Sequence, residues 1–327
     1  MAEKKSVKLK KQHWETSKRI EDLYARLLRN LMDPAKKKVL AKIKENEKKI
    51  KEAEKNNKKS EFNIKEIEKI LKDFANTEIF KRKAEEIAKK ITTMTLAENA
   101  KDWREAARKA SANPKMYNLL MKELEENKEV KEEYDRILAE NAKIIKTLPL
   151  EIAQEVIQHV SAKSFESSRP ETIAKEIRKY FPEHTRAKEG LIARTEAAKC
   201  KAALTEARSK SIGIYWYVWH STGDQRTRPA HALMNNVICC YNHQPSPEAL
   251  AKAKGIYNGK TYGEYGPGNI FNCRCFASPI VEIDQIKFPS KVYNWQVDDI
   301  INMGRQEFID FAKENGVPIK TQEDYRL

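Results

Sequence analysis

The residues in this sequence best suited to metal chemistry are a histidine and two cysteines in the C-terminal third. Cys273 and Cys275 form a C-x-C pair, and His231 precedes them. Zinc in proteins takes four tetrahedral ligands, mostly thiolates and imidazoles. We therefore predict that these three side chains could supply three ligands. The fourth would come from a thiol or imidazole nearby in the sequence: Cys239, Cys240 or His243.

A second interpretation of the same cysteines needs no metal. The C-x-C spacing fits no standard C-x-x-C zinc framework, and a free cysteine is often buried simply as a small apolar residue. The chain has five cysteines, an odd number, all in its C-terminal part. This argues against a secreted disulfide framework, and a C-x-C disulfide would be strained. Buried thiols beside a hydrogen-bonded histidine therefore stay open as the alternative.

A charged loop lies between His231 and the preceding apolar segment. It reads D-Q-R-T-R-P, and Asp224 could cap the loop or bind Arg226 through two hydrogen bonds. Upstream, Arg194 and Glu196 stand two positions apart on a predicted helix and so face different directions. We expect Glu196 to pair with Arg226 or Arg228, and Arg194 to reach carbonyls of the loop. A structural salt bridge is the simplest role for this set.

An enzymatic role for these residues is the weakest of the interpretations. Asp224, His231 and a nearby cysteine are residue types that a metal-dependent nuclease could use. However, the sequence has no P-loop, no G-x-S-x-G, no H-E-x-x-H and no G-x-G-x-x-G. The glycines of Gly263-Glu264-Tyr265-Gly266-Pro267-Gly268 are typical of tight turns. We therefore predict no catalytic residue and no enzyme activity.

Long helices must carry these loops. Apolar residues spaced along one helical face predict almost continuous helix over residues 13–146 and again over residues 150–211, with a stop at Gly213. Breaks are predicted at Asp33-Pro34, at Ser111-Ala112-Asn113-Pro114 and at Thr147-Leu148-Pro149.

The composition changes after Gly213. Residues 214–219 are aromatic and β-branched, which predicts a strand, and eight of the ten glycines follow it. The predicted fold is mostly α with a small α+β domain, in which Trp216 or Trp219 is buried against the helix that carries Arg194. The predicted divisions are an extended charged helical arm (1–148), a helical connector (149–190), the small domain (191–284) and a short helical tail (285–327), helical over residues 298–315.

The net charge of +15 predicts acidic partners, and nucleic acid is the first of them. In the first 160 residues, however, lysines alternate with glutamates as in EKKIKEAEKNNKKSEF, which favours a solvated helix laced with i,i+4 pairs. No apolar run approaches the roughly 20 residues of a membrane span, so we expect no membrane partner. The basic N-terminus leads into no apolar segment, so we expect no secretory signal.

Four short motifs in one order resemble the phage head morphogenesis family, also called the Mu F-like minor head proteins. They are R-T-E, a tryptophan, D-Q-R-T-R-P-A-H-A-L and P-G-N-I-F-N-C-R-C, and together they cover about residues 191–279. The residues that carry the resemblance are Arg194, Glu196, Trp219, Asp224, Arg226, Arg228, His231, Asn272 and Arg274.

The resemblance implies a low-copy structural protein of the virion, in the capsid interior or at the portal vertex, assembled in the host cytoplasm. Its implied partners are the portal protein, the major capsid or scaffold protein, and double-stranded DNA without sequence preference. The implied role is in head assembly and in DNA packaging or ejection. The family offers no agreed catalytic residues. The alternative is a sequence-independent DNA-binding protein with a zinc-stabilised C-terminal domain.

The sequence departs from the family at the expected metal ligands. Many relatives carry a C-x-x-C after the strand and a histidine shortly before N-C-R-C. Here Arg228 and His231 take the C-x-x-C positions, and Ile270 stands where that histidine would be. The chain keeps His231, Cys273 and Cys275 but lacks two ligands that the resemblance would imply.

Overall fold

The structure is a computed structural model that describes residues 14–58, 62–109, 118, 127–165 and 169–321. These residues are mostly helical, with one five-stranded sheet near the C-terminal end, so the predicted fold class is confirmed. The long helical segments among the described residues are α1 (Lys18–Lys55), α2 (Ile64–Asn76), α3 (Glu78–Lys109), α4 (Lys128–Phe165) and α5 (Pro170–Ser211). The break predicted at residues 111–114 lies outside the described residues.

Two of the predicted helix breaks are wrong. Pro34 lies inside α1 and Pro149 lies inside α4. A proline within a helix removes one backbone hydrogen bond and usually costs stability. In both helices a buried apolar stripe continues across the proline, for example from Leu31 to Val39 in α1. Burial of that stripe keeps the helix intact, whereas the predicted end of α5 near Gly213 (φ +74°) is confirmed.

The described chain divides into two compact units, and α3, α4 and α5 contribute residues to both. One unit consists of residues 18–92 and 136–194 and is wholly helical. Its core includes the fully buried Tyr24, Leu28 and Ile43. It also buries an ion pair, in which Lys36 Nζ lies 2.6 Å from a carboxylate oxygen of Glu189. Burial raises the pKa of Glu189.

The other unit contains residues 93–135 and 195–327 as well as the N-terminal residues. In its helical part, α3 and α5 are joined by buried polar contacts. Lys201 forms an ion pair with Asp102, and the Asn99 side-chain amide donates to Thr205 Oγ1 at 2.9 Å. A buried charge or amide is costly unless it is paired, so these contacts fix how α3 and α5 pack within the unit.

The sheet of this unit has the strand order β3-β1-β2-β4-β5. Its strands are β1 (Trp216–His220), β2 (Ile238–Cys240), β3 (Phe276–Pro279), β4 (Ser290–Asn294) and β5 (Asp299–Met303). Three short helices accompany it: α6 (Pro229–Leu233), α7 (Pro247–Ala253) and α8 (Arg305–Glu314). β1 pairs antiparallel with β2 and β3, and β2 pairs parallel with β4.

The sheet separates two apolar clusters, because successive side chains of a strand point to opposite faces. Trp216 belongs to one cluster, with Phe308 and Phe311 of α8. Trp219 belongs to the other, with Cys273 and Cys275. Both tryptophans are buried, at 1% and 0% exposure. Their rings contact Phe308 of α8 and His231 of α6, respectively, so packing against the helix that carries Arg194 stays a prediction.

The C-terminal segment differs from the predicted helical tail. Residues 299–303 form β5, and the helix begins only at Arg305. β4 extends the sheet beside β2, and α8 buries Phe308 against Trp216 with ring centroids 4.8 Å apart. This segment is therefore part of the apolar core of its unit. Within the described residues, none of the helices is both long and apolar enough to cross a membrane.

Candidate metal centre and the loops around it

Three side chains with metal-binding atoms converge beneath the loop that follows β1. His231 lies on α6, and Cys273 and Cys275 lie just before β3. His231 Nδ1 is 3.6 Å from Cys273 Sγ and 3.4 Å from Cys275 Sγ. All three residues are buried. The fold thus brings together the three residues that sequence analysis singled out as candidate ligands.

Two further buried residues orient the histidine ring. His231 Nε2 lies 2.9 Å from the hydroxyl of Tyr265, and that hydroxyl donates to Glu248 Oε1 at 2.6 Å. Burial and this hydrogen bond to the carboxylate raise the pKa of Tyr265 well above its ordinary value. A hydroxyl that donates to Glu248 must accept from His231, so the ring proton is on Nε2. Nδ1 is therefore an acceptor that faces the two sulfur atoms.

The two thiols compete for that one lone pair. Only one S–H can donate to Nδ1, so a second proton has to be placed elsewhere or lost. The hydrogen bond from Cys275, together with His231, lowers the pKa of Cys273 despite its burial. The indole N–H of Trp219 is buried without an acceptor oxygen or nitrogen and lies beside Cys275, where its dipole favours a thiolate. The hydrogen bond with Cys273 and burial nevertheless raise the pKa of Cys275, so the arrangement favours negative charge on Cys273 and not on both sulfur atoms.

The distances also match those of a metal site. A nitrogen and a sulfur bound to one tetrahedral zinc ion lie roughly 3.6 Å apart, given ordinary Zn–N and Zn–S lengths. The two observed N···S distances are 3.6 and 3.4 Å. The carboxylate-to-tyrosine-to-histidine chain is a hydrogen-bonded arrangement of the kind that holds metal-ligating imidazoles. His231, Cys273 and Cys275 are therefore candidate ligands of one zinc ion, while the same distances also fit S–H···N hydrogen bonds between buried thiols and the histidine.

The predicted fourth ligands do not belong to this group. Cys240 lies on the opposite face of the sheet, in the cluster around Trp216. Cys239 shares the apolar cluster of Cys273 and Cys275, but its sulfur is not among the converging ligand atoms. His243 stacks on Trp295, with ring centroids 4.2 Å apart. The three ligand residues instead border a small polar pocket of about 50 Å³. It is also lined by Thr222, Arg226, Thr227, Arg228, Asn272 and Arg274.

Asp224 caps the charged loop above the centre, one of its two predicted roles, by accepting from the backbone N–H of Arg226 at 3.1 Å. Its bidentate side-chain partner is Arg274 and not the expected Arg226. Arg274 donates to both carboxylate oxygens of Asp224, at 2.6 and 2.7 Å, whereas Arg226 Nη2 lies 3.6 Å from that carboxylate. The Arg274 guanidinium holds the pKa of Asp224 well below its usual range. Because Arg274 stands between Cys273 and Cys275, this pair fastens the loop directly to the cysteine segment.

Arg228 and Asn272 fix the other side of the loop. Arg228 donates to the backbone oxygen of Phe271 at 2.9 Å, and its guanidinium lies over the Phe271 ring at 4.7 Å. Asn272 has a φ of +54°, a left-handed conformation that asparagine tolerates better than most residues. Its backbone N–H donates to the hydroxyl of Thr195 on α5 at 2.9 Å.

The three residues of the first motif make contacts with different parts of the chain. Glu196 forms an ion pair with Lys199, one turn along α5, at 3.2 Å. Burial raises the pKa of Glu21, and the nearby positive charge of Arg194 offsets part of that rise. Thr195, between them, makes the contact with the cysteine loop. The contacts of Thr195, Tyr265 and Glu248 at this site were not predicted. Thr195 stands in the R-T-E motif, but none of the three has metal-ligand spacing in the sequence.

Comparison with known proteins identifies the segment that contains the centre. The family described as Phage Mu protein F like protein matches residues 152–278. A protein of Haemophilus influenzae, described as uncharacterized, is 28% identical over 153 residues, which are 47% of this chain and 30% of that protein. The match thus spans less than a third of the relative's length. No solved structure matches the chain. The resemblance inferred from the motifs is therefore confirmed: residues 152–278, which include His231, Cys273 and Cys275, match the family described as Phage Mu protein F like protein.

Proposed function

We propose that this chain is a minor head protein of a tailed double-stranded DNA phage. In this proposal it binds the portal protein in the procapsid and assists head assembly and DNA packaging or ejection. The observation that carries the proposal is the match of residues 152–278 to a phage family. The centre within that segment supports a structural role, because its polar groups are buried and bound to one another.

Binding to the portal protein is tested by co-expression with the portal protein of the same phage and affinity capture. We expect the two proteins to stay together at about 0.5 M salt, where exposed charge contacts are heavily screened. The control is the same capture with a chain of similar net charge and no family segment. Separation at high salt, with only DNA retained at low salt, would contradict the proposal.

We further propose that His231, Cys273 and Cys275 hold a zinc ion that stabilises the sheet-containing unit. Bound zinc would supply positive charge to two thiolates and cross-link α6 to the segment before β3. The chain's own residues contribute the oriented Nδ1 of His231 and a buried surrounding. The fourth position would face the polar pocket.

The zinc proposal is tested by elemental analysis of protein purified without a metal-affinity tag. We expect about one zinc per chain, and loss of that zinc in Cys273→Ser and Cys275→Ser. Cys200→Ser is a matched control, since Cys200 is also a buried free cysteine of the same unit. Equal zinc content in all four proteins, or none in the parent chain, would overturn the assignment.

The second function to weigh is sequence-independent DNA binding, which the net charge of +15 favours. Binding of duplex DNA that falls steeply with salt, together with failure to capture the portal protein, would favour it.

A nuclease is supported less well, because Arg274 occupies both oxygens of Asp224. We expect nuclease assays to show equal residual activity in the parent chain and in His231→Ala.

A further inference from the structure

A short row of two adjacent aromatic rings with a cation at each end lies on the surface of the sheet-containing unit. We define this row by Arg228, Phe271, Tyr262 and Lys260. Arg228 lies over the Phe271 ring at 4.7 Å, and Lys260 lies 5.8 Å from the centre of the Tyr262 ring. The two rings meet edge to face, with centroids 5.5 Å apart. The four side chains form one continuous surface.

Both rings of this row are open to solvent. Phe271 is 47% exposed and Tyr262 is 41% exposed, among the most exposed large apolar side chains of the described residues. The metal centre does not use them, and their mutual contact leaves much of each ring uncovered. Two adjacent rings that are kept exposed between cations mark a surface able to bind a partner.

One of the two cations beside the rings, Arg228, also lines the polar pocket. Arg226 lines this pocket and its side chain is 82% exposed. Arg228 Nη1 is buried without a hydrogen-bond partner while Nη2 is bound to the Phe271 carbonyl. A buried guanidinium N–H without an acceptor is costly. An anionic oxygen in the pocket would satisfy it.

We propose that this surface binds single-stranded nucleic acid. A phosphate would sit at the pocket beside Arg226 and Arg228, and the neighbouring bases would stack on Phe271 and Tyr262. Charge selects an anionic ligand, and exposed aromatic faces next to cations select unpaired bases, because bases in a duplex already stack on each other. The proposal does not depend on portal binding or on a bound metal.

The loop that carries the row is built to hold this shape. The Tyr257 hydroxyl donates to the Lys260 carbonyl at 2.9 Å, and the backbone N–H of Tyr265 donates to the Pro245 carbonyl at 3.0 Å. Gly263 has a φ of +82°, which lets the chain turn directly after Tyr262. Little ordering is then needed when a strand binds, which favours affinity.

The test measures fluorescence anisotropy of a labelled oligothymidine with the full chain, in competition with a duplex of the same length. We expect Phe271→Ala and Tyr262→Ala each to weaken single-strand binding roughly tenfold or more, as lost base stacking does. Arg226→Gln should weaken it and reduce its salt dependence. Val297→Ala is the control, since Val297 is 60% exposed and lies elsewhere on the unit.

Three results would overturn the proposal. One is single-strand binding that the aromatic substitutions leave unchanged, which would mean that only charge is involved. A second is duplex binding that is as tight as single-strand binding or tighter. The third is binding of an acidic peptide in preference to the oligothymidine. Photocrosslinking of the parent chain gives a second readout that needs no variant: we expect nucleotide adducts on residues 260–271, and adducts only elsewhere would also exclude this surface.

Discussion

His231 can offer Nδ1 to a metal because its other ring nitrogen, Nε2, is held by a hydrogen bond. The Tyr265 hydroxyl accepts from Nε2 and donates to Glu248, which leaves Nδ1 free to face the two cysteines. The convergence of histidine and thiols could be predicted from residue type. Tyr265 and Glu248 could not, because their contacts join distant parts of the chain and neither residue has a local signal. The predicted side-chain partner of Asp224 was wrong for a related reason. Nearness in sequence favoured Arg226, whereas the fold brings the Arg274 side chain to this carboxylate.

The hydrogen-bond relay gives a prediction for Tyr265→Phe. The substitution keeps the ring but removes the group that orients His231 and binds the buried Glu248. We expect zinc affinity to fall roughly 10- to 100-fold, as for other losses of groups that orient ligands. The measurement is competition with a chromophoric chelator. Tyr262→Phe, at an exposed tyrosine, is the control, and unchanged affinity in Tyr265→Phe would show that the relay does not orient the ligand.

The Asp224–Arg274 pair predicts a pH dependence. The pKa of Asp224 is held low because Arg274 binds the ionised carboxyl in the folded protein. The pair therefore stabilises the fold fully above the ordinary aspartate pKa of about 3.9, and that stabilisation is lost as the pH falls through the lower folded pKa. We expect the parent chain to have a higher Tm than Asp224→Asn near neutral pH, with the difference shrinking in acid.

Thermal unfolding followed by circular dichroism over a range of pH measures this difference. Asp310→Asn, at an exposed position on α8, should show no comparable difference. A Tm difference between the parent chain and Asp224→Asn that stays the same down to strongly acidic pH would contradict a role for the ionised carboxyl.

At the scale of elements, apolar periodicity predicted helices well and prolines predicted their ends badly. α1 and α4 continue through Pro34 and Pro149 because the buried stripe on each helix continues. β1 was recognisable from its aromatic and β-branched residues. β4 and β5 were not, although they pair with each other as a local antiparallel hairpin. The hairpin joins the rest of the sheet through β2, where Val292 lies opposite Ile238, far away in sequence. Pairing over such distances leaves little local pattern.

The place of α8 in the apolar core gives an element-scale prediction. Phe308 is fully buried and meets Trp216 edge on. We expect Phe308→Ala to lower the free energy of unfolding by about 3–5 kcal/mol, as buried phenylalanine truncations do. Val297→Ala, at a 60% exposed position, should change it by less than about 0.5 kcal/mol. Denaturant unfolding compares the two, and a small loss in Phe308→Ala would mean that α8 is dispensable to the core.

At the scale of the molecule, the described chain divides into two compact units. Each is assembled from separated stretches of sequence, and α3, α4 and α5 supply residues to both. Composition along the chain could show where the sheet region begins, but not that long helices belong to two units at once. The predicted boundaries at residues 148, 190 and 284 therefore stay predictions.

The basic residues of the two units differ in their surroundings. In the wholly helical unit many lysines pair with glutamates on the same helix, such as Lys49 with Glu45 and Lys72 with Glu68. Exposed pairs of this kind contribute little stability but leave fewer free cations. Arg226, by contrast, is 82% exposed beside the polar pocket. This contrast favours the sheet-containing unit as the part of the chain that meets an acidic partner.

The most direct test of the central claim is quantitative mass spectrometry of purified procapsids and mature particles from the phage that encodes the chain. A minor head protein should be present in both kinds of particle, or in procapsids alone if it leaves during maturation, at a small fraction of the major capsid protein's copy number. Absence from both kinds of particle, with the chain found free in the infected-cell extract, would contradict a role in the phage head.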